Sequence, residues 1–279
     1  MTAKTTPKTT LILGGTGKTG RRIAEQLTAR KVPVRIGSRS ATPSFDWENR
    51  STWPAALVNV DAVYISYYPD LAAPGATDAI RAFTELAVRS GVGRLVLLSG
   101  RGEPEAQRCE EIVKNAGVQW TVLRCSWFNQ NFSENYLLEP ILAGEVALPA
   151  PNVGEPFVDA DDIADAAVAA LTDAKHAGQL YELTGPRLLT FADAIAEIAR
   201  ASGREIRYVQ VSMDDYVVAL EQAQLPPEFV ALIKYLFTEV LDGRNAYLTD
   251  GVQRALGHAP TDFADYARRA AASGAWKMR

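Results

Sequence analysis

Short apolar runs alternate with amphipathic stretches through the first half of the chain. Between the runs, apolar residues such as Ile23 and Leu27 recur three or four positions apart, the spacing of one helix face. Strands that alternate with crossover helices predict a parallel sheet covered by helices on both faces. The predicted strands are 11–13, 32–36, 61–66, 94–99 and 120–124, and the predicted helices are 18–30, 75–90 and 105–116.

The pattern changes after Pro149, where a loop rich in proline and glycine precedes an alanine-rich helix over 159–171 and a strand over 179–184. The remaining stretches predict mainly helices, at 190–202, 212–222, 227–241 and 262–272, with a short strand at 207–211. We therefore predict an α/β protein with a Rossmann-type, doubly wound parallel sheet and a smaller, mainly helical C-terminal lobe. The predicted division is a flexible tail (1–9), a nucleotide-binding domain (10–150, with a helix and strand from 157–185) and the lobe (186–279).

The amino-acid composition argues against several classes of function. Apolar residues make up 47% and charged residues 22% of the 279, as in ordinary globular proteins, and the net charge is −4, which argues against a nucleic-acid-binding protein of the basic-patch kind. No apolar stretch is long enough for a membrane helix, and the polar N-terminus is unlike a signal peptide. Two cysteines and two histidines favour neither a disulfide framework nor a metal site. We expect a cytoplasmic protein without metal, membrane or nucleic-acid partners; its oligomeric state stays open.

A glycine-rich segment lies directly between the first strand and the first helix. It reads Gly14-Gly15-Thr16-Gly17-Lys18-Thr19-Gly20, with glycines at every third position from Gly14. Such a turn lets backbone approach a dinucleotide pyrophosphate and meets its charge with a helix N-terminus. Gly17-Lys18-Thr19 also resembles the end of a P-loop, but that pattern needs a glycine where this chain has Ile12. The segment therefore predicts a dinucleotide site.

The residues after the second strand indicate which dinucleotide binds. An NAD site usually has an acidic residue about 20 positions beyond the glycines, yet none occurs between Glu25 and Asp46. Arg35 and Arg39 flank the end of that strand instead, and an arginine there suits the 2′-phosphate of NADP(H). Lys18 adds a positive charge from the glycine segment. The alternative is that these arginines are ordinary surface residues. We predict NADP(H) as the cofactor.

Six motifs stand out along the chain: Gly14 to Gly20, Val34-Arg35 with Ser38-Arg39, Leu97-Leu98-Ser99, Trp120 to Arg124, Trp127-Phe128 with Asn131-Phe132, and Phe157-Val158-Asp159 with Asp162-Ile163-Ala164. Together they resemble the NmrA-like branch of the atypical short-chain dehydrogenases. Within that branch, Ala41 to Trp47 is similar to the ergot-alkaloid reductases that act on iminium substrates. The resemblance implies a Rossmann-type fold, an NADP(H) site and, in some members, reduction of quinones, dyes or iminium ions. By position, it implies adenosine-phosphate contacts at 16–19, Ser38 and Arg39, and nicotinamide-side contacts at Ser66, Tyr67 and Ser99.

One feature of ordinary short-chain reductases is missing. None of the ten tyrosines has a lysine four residues later, so the Tyr-x-x-x-Lys pair that protonates an alkoxide is absent. Tyr67 and Tyr68 are the remaining weak candidates for a catalytic hydroxyl. Hydride transfer to an acceptor that is already electron-poor needs little protonation, and binding geometry can supply much of its catalysis.

Aromatic residues follow two of the predicted strands. Tyr68 comes after the third strand, and Trp127, Phe128 and Phe132 come after the fifth. Because ligands of such sheets bind outside the carboxyl ends of the strands, these rings are candidates for the wall of a substrate site. The alternative is that they belong to the core. We predict an NADP(H)-dependent reductase of small aromatic or conjugated acceptors, such as a quinone, an iminium or a dye; the alternative is a non-enzymatic NADP(H)-binding redox sensor.

Overall fold

The computed structural model describes residues 9–277. Of the predicted tail, residues 1–8 lie outside this part, and Thr9 opens the first strand. The strands are β1 Thr9–Leu13, β2 Val34–Gly37, β3 Val60–Ile65, β4 Arg94–Gly100, β5 Gln119–Cys125, β6 Glu145–Leu148, β7 Gln179–Leu183 and β8 Arg207–Gln210. The helices are α1 Lys18–Ala29, α2 Trp53–Ala56, α3 Ala76–Arg89, α4 Pro104–Lys114, α5 Leu138–Ala143, α6 Ala160–Thr172, α7 Phe191–Ser202, α8 Met213–Gln222, α9 Pro227–Tyr235, α10 Gly251–Leu256 and α11 Phe263–Ala272.

Six of the strands form one sheet in the order β2-β1-β3-β4-β5-β7. β1 pairs in parallel with both β2 and β3, and β3 pairs in parallel with β4. Since β1 lies between β2 and β3, the order of the strands reverses at β1, and ligands of doubly wound sheets bind at that switch point. The predicted Rossmann-type sheet is confirmed.

Alternation along β1 shows how the two faces of the sheet are covered. Leu11 and Leu13 belong to a buried cluster shared with α3 and α4. On the opposite face, the Tyr64 hydroxyl of β3 donates to Thr19 of α1 over 2.8 Å. Helices therefore cover both faces, as the near-continuous apolar strands require.

The chain divides into two compact units. The first comprises the described residues up to Gly100, Pro104–Arg124 and Ile163–Tyr181; the second comprises Arg101–Glu103, Cys125–Asp162 and the residues from Glu182 onward. The predicted domain boundary at residue 150 falls inside the second unit, because the segment from Cys125 to Asp162 packs with the C-terminal helices.

Aromatic rings fill the core of the second unit. Phe132, Phe157, Phe191 and Phe263 pack with centroid separations between 5.1 and 5.9 Å. The predicted strand at 207–211 is present as β8, and it pairs in parallel with β6, a four-residue strand that the sequence pattern did not indicate. Thr190 and Ser212 are the N-caps of α7 and α8, because each accepts a hydrogen bond from the backbone amide three residues on.

A buried arginine ties together distant segments of the second unit. Arg101 donates from Nε to Glu182 over 2.8 Å and from Nη1 to the Ser126 hydroxyl over 2.9 Å. Its guanidinium also contacts the Asn245 carbonyl and lies 4.4 Å from the centroid of the Tyr247 ring. Because the charge is paired and hydrogen-bonded, its burial is tolerated. Among the described residues, no helix combines the length and apolar character that crossing a bilayer requires.

Candidate dinucleotide site

The glycine segment forms a tight turn between β1 and α1. Gly14 has a φ of +64°, a conformation that glycine adopts without steric cost. Its amide donates to the Gly37 carbonyl over 3.0 Å, and its own carbonyl accepts from Gly17 over 2.8 Å. The turn therefore extends the pairing of β1 with β2 and delivers the chain into α1 at the carboxyl edge of the sheet.

Three glycines of this turn are required for different reasons. A Cβ on Gly20 would lie 2.2 Å from the Gly14 carbonyl oxygen, and one on Gly15 would lie 2.9 Å from the Ile36 side chain, so both are needed for packing. Gly17 has an ordinary φ of −82°, and its Cβ would meet only the Gly14 carbonyl, at 3.2 Å. This single contact is tight but longer than those at Gly15 and Gly20, so the fold demands glycine less strictly at position 17 than at the other two positions.

The N-terminus of α1 fits an anionic group. Gly17 is its N-cap, no side chain caps the helix, and its first turn holds no acidic residue. The first amides of a helix have no intrahelical acceptor and carry partial positive charge, which suits a pyrophosphate. Thr16 is exposed and Lys18 half-buried, whereas the Thr19 side chain is buried against Tyr64. Thr19 therefore offers its backbone amide rather than its hydroxyl to such a ligand.

The end of β2 places a cation beside this turn. Ser38 follows Gly37 directly, and its carbonyl accepts from the amides of Ala41 and Phe45, which folds the chain back at this point. Arg39 is exposed within that turn. Arg35 has a different role, because its guanidinium donates to the carbonyls of Ala56 and Val58. Of the two arginines that flank the strand end, Arg39 is the one available for a phosphate.

The end of β3 brings three more predicted residues, Ser66, Tyr67 and Tyr68, to the same edge. Ser66 lies against the glycine turn, since a Cβ on Gly14 would be 3.2 Å from the Cβ of Ser66. Tyr67 is half-buried and packs on Trp47, while Tyr68 keeps 59% of its surface exposed. Burial raises the pKa of the Tyr67 hydroxyl above its usual value, with the nearby Cys109 adding to the shift. A raised pKa makes Tyr67 a weaker proton donor at neutral pH.

Ser99 is held by a buried carboxylate that sequence reasoning missed. Its hydroxyl donates to Glu110 Oε1 over 2.7 Å, and Glu110 is paired with Arg124 through Nε (2.9 Å) and Nη2 (2.5 Å). Lys114 lies 3.7 Å from the same carboxylate. The available signal was a glutamate within the apolar stripe of α4, between the buried Ala106 and Val113. Because the Ser99 proton is engaged, this hydroxyl can only accept a hydrogen bond from a ligand, and the ligand has to be the donor.

The three aromatic residues predicted after β5 lie in the second unit. The Trp127 ring packs on the rings of Phe191 and Phe237, with centroids 5.2 Å apart in each pair. The backbone of Phe128 forms an isolated parallel β-bridge with that of Val158. Phe132 has no exposed surface and packs among the phenylalanines of the core. The structure therefore places Phe132 in the core rather than at a substrate wall, whereas Trp127 and Phe128 are half-buried.

Other reactive side chains near the strand ends have structural roles. Burial raises the pKa of the Cys109 thiol to about 11 and raises that of Cys125 further, so neither is a thiolate at neutral pH. The acidic cluster at the start of α6 caps that helix, because Asp159 accepts from the Asp161 amide, and it also pairs with Arg269. Asp162 accepts from the amide and hydroxyl of Thr261. These hydrogen bonds and this ion pair explain the position of Asp159 and Asp162 without a bound metal ion.

The geometry defines a dinucleotide-binding α/β protein, and comparison with known proteins agrees. The model of the NAD(P)H-binding family matches residues 14–174. Festuclavine dehydrogenase from Aspergillus fumigatus is 32% identical over 282 residues, which cover 94% of this chain and 97% of that protein.

Two solved structures share the fold. The triphenylmethane reductase of Citrobacter sp., complexed with NADP(H), has a TM-score of 0.75 and 17% identity, with 94% of this chain and 99% of that chain covered. An NADPH-dependent quinone oxidoreductase from Escherichia coli, complexed with NADPH, has a TM-score of 0.75 and 21% identity, with 93% and 99% covered.

The chain belongs to the NAD(P)H-binding family. It is an oxidoreductase of that family, and NAD(P)H is its cofactor.

Proposed function

We propose that this protein is an NADP(H)-dependent reductase that transfers hydride to a small aromatic or conjugated acceptor, such as a quinone, an iminium ion or a cationic dye. The observation that carries the cofactor assignment is the pairing of an uncapped helix N-terminus at Gly17 with the exposed Arg39 at the end of the neighbouring strand. The first accommodates a pyrophosphate, and the second can donate paired hydrogen bonds to a 2′-phosphate.

Each predicted site residue then has a defined task. The backbone at 16–19 binds the pyrophosphate, and Gly17 allows its close approach, while Lys18 adds positive charge. Ser38 and Arg39 bind the adenosine 2′-phosphate. Ser66, Tyr67 and Ser99 lie along the nicotinamide side, where Ser99 can act only as an acceptor because its proton is held by Glu110. Bound NADPH would supply the hydride itself.

The choice of acceptor rests on what the protein lacks. No Tyr-x-x-x-Lys pair is present in the sequence, and burial raises the pKa of Tyr67, so neither the usual catalytic pair nor Tyr67 supplies a strong proton donor at the end of β3. Quinones and iminium ions accept hydride before they need a proton, whereas ketones require protonation of the alkoxide as it forms. The activities of the similar proteins, a festuclavine dehydrogenase, a triphenylmethane reductase and an NADPH-dependent quinone oxidoreductase, support acceptors of this kind. Tyr68, Trp127 and Phe128 remain candidates for contact with the acceptor.

Steady-state NADPH oxidation with matched acceptors tests the proposal. The purified protein is assayed with a quinone, a cyclic iminium ion, a triphenylmethane dye and a simple ketone, with Gly17→Val as the control that lacks the cofactor site. We expect turnover with at least one electron-poor acceptor and a ketone rate at least about a hundredfold lower, the scale of a missing general acid. Efficient ketone reduction would contradict the mechanism. Tight NADPH binding without turnover of any acceptor would favour the redox-sensor alternative instead.

A further inference from the structure

A single loop connects the 2′-phosphate end of the candidate site with its nicotinamide end. This loop, residues 38–47, begins at the turn that carries Arg39 and ends at Trp47. It is anchored where the Phe45 amide donates to the Ser38 carbonyl over 2.8 Å. Phe45 is buried and packs on Trp47 edge to face at 5.0 Å, so the far end of the loop is fixed by the core.

Trp47 contacts the end of β3 in two ways. Its indole N–H donates to the Ser66 carbonyl over 3.1 Å. Its ring lies 4.9 Å from that of Tyr67, centroid to centroid, in a tilted arrangement. One side chain therefore fixes both the backbone and the ring of a two-residue segment that directly follows the strand.

That segment is in contact with the glycine turn. Gly14 approaches Ser66 so closely that a Cβ on Gly14 would lie 3.2 Å from the Ser66 Cβ and 3.3 Å from its hydroxyl oxygen. A shift of Ser66 would thus change the spacing between the end of β3 and the turn that receives the dinucleotide. The Trp47 hydrogen bond is one of the contacts that hold Ser66 at this spacing.

Trp53 provides an internal comparison. It belongs to the same aromatic cluster, with its ring 5.8 Å from that of Trp47, and its indole N–H also donates to a backbone carbonyl, that of Asp46, over 2.7 Å. It is more deeply buried than Trp47. However, neither its hydrogen bond nor its ring contacts involve Ser66 or Tyr67. The two tryptophans share packing and hydrogen bonding but differ in their connection to the site.

We propose that Trp47 is a positioning residue for hydride transfer, which holds Ser66 and Tyr67 in the arrangement that orients the nicotinamide and the acceptor. This inference rests on the proposed function. Because Trp47 acts on geometry rather than on the phosphate contacts, its loss should lower kcat far more than it weakens NADPH binding. Misplacement of reacting groups by about 1 Å can reduce rates by about a hundredfold, and the loss of one of two contacts should cost about tenfold.

The test compares Trp47→Phe with Trp53→Phe. Each replacement keeps an aromatic ring and removes one indole hydrogen bond, so a similar decrease in melting temperature is expected for both. For Trp47→Phe we expect kcat for an electron-poor acceptor to fall about tenfold, with the dissociation constant for NADPH changed by less than about threefold. We also expect a larger primary isotope effect with deuterated NADPH, because chemistry becomes more rate-limiting. Trp53→Phe should leave kcat and the isotope effect within about twofold of the wild type.

The outcomes separate this proposal from the function on which it rests. Equal kinetic effects in the two variants, alongside an active wild type, would overturn the positioning role and leave the proposed function intact. A wild type that turns over no acceptor would overturn both. Trp47→Tyr serves as a second variant in case Trp47→Phe does not fold. If neither Trp47 variant folds while Trp53→Phe does, the indole is a requirement of the fold and the positioning role is overturned.

Discussion

The two compact units use their aromatic residues differently. In the first unit, Trp47 and Trp53 donate indole hydrogen bonds to backbone carbonyls, and Trp47 thereby fixes the end of β3 beside the glycine turn. In the second unit, Phe132 and its neighbours form a core in which the rings contact one another, and Trp276 likewise donates its indole hydrogen bond, to the Phe132 carbonyl over 2.9 Å. Tryptophan therefore adds a directional donor in both units. What sets Trp47 apart is its acceptor, the Ser66 carbonyl, which lies beside the glycine turn. An aromatic residue after a strand is thus assigned to the core or to a site by what it contacts, and not by its position in the sequence.

The largest expected effect tests the core assignment of Phe132. Phe132→Ala leaves a cavity among several rings and should lower the free energy of unfolding by about 3–5 kcal/mol. Urea denaturation measures this change. Tyr68→Ala, at an exposed ring, is the control and should alter stability little. If Phe132→Ala instead raised the KM for the acceptor in protein of near-normal stability, Phe132 would be part of the substrate site and the contrast between the units would fail.

The second prediction separates two glycines of one turn. Gly17→Val should weaken NADPH binding at least about a hundredfold while the fold persists, because its side chain would occupy the path of the ligand. Gly20→Ala should instead destabilise the protein without cofactor, since its Cβ would lie 2.2 Å from the Gly14 carbonyl oxygen. Calorimetric titration and thermal melting of the two variants distinguish these effects. If NADPH raised the melting temperature of Gly17→Val as much as that of the wild type, the pyrophosphate would not bind at this turn.

The third prediction concerns the selectivity for NADPH over NADH. Arg39→Ala removes the charge-assisted hydrogen bonds to the 2′-phosphate and should weaken NADPH binding by about 1.5–3 kcal/mol. Binding of NADH, which has no such phosphate, should be nearly unchanged. Arg35→Lys is a control at the neighbouring strand position. A wild type that binds NADH as tightly as NADPH would contradict the assignment of Arg39.

A pH prediction concerns the second unit. Burial raises the pKa of Glu155 to about 7, even though the Trp127 amide donates to its carboxyl group. Between about pH 4.5 and about pH 7, the folded protein therefore retains a proton that the unfolded chain has released. The free energy of unfolding falls as the pH rises across this range. Glu155→Gln, which stays neutral, should remove this decline of about 3 kcal/mol. Parallel unfolding curves of the two proteins from acid to neutral pH would contradict a buried, protonated Glu155.

The smallest expected effect concerns the tyrosines at the end of β3. Tyr67→Phe and Tyr68→Phe should each change kcat by about tenfold or less, below the 10²–10⁴ typical of a general acid. Steady-state NADPH oxidation with a quinone and a ketone measures both. If the wild type reduces ketones efficiently and one of these variants does not, the replaced tyrosine is a proton donor. General acid catalysis would then take place in the first unit.

The sheet and the cofactor turn could be predicted because local signals specify them. Apolar runs of strand length and the spacing of Ile23 and Leu27 are properties of short segments, and so is the glycine turn. The strand β6 was missed because its four residues become a strand only by pairing with β8, about sixty residues later. Long-range contacts of this kind leave little trace in a local pattern.

The supporting contacts of the site show the same limit. Nothing local links Glu110 with Ser99 and Arg124, or Trp47 with Ser66, because the partners come from separate elements. Phe132 was assigned to a substrate wall from its position after β5, but its burial depends on rings from α7 and α11. Sequence position identified which residues follow the strands, while only the structure distinguished those that remain accessible from those that pack.

Hydride transfer from NADPH to an electron-poor acceptor can be followed directly with NADPH that carries deuterium at the transferable position. The protein is given this NADPH together with a cyclic iminium ion, and the product is analysed by mass spectrometry. We expect the wild type to form an amine that carries one deuterium, and Gly17→Val to form none. Product without deuterium, or no product despite tight NADPH binding, would contradict the proposed hydride transfer.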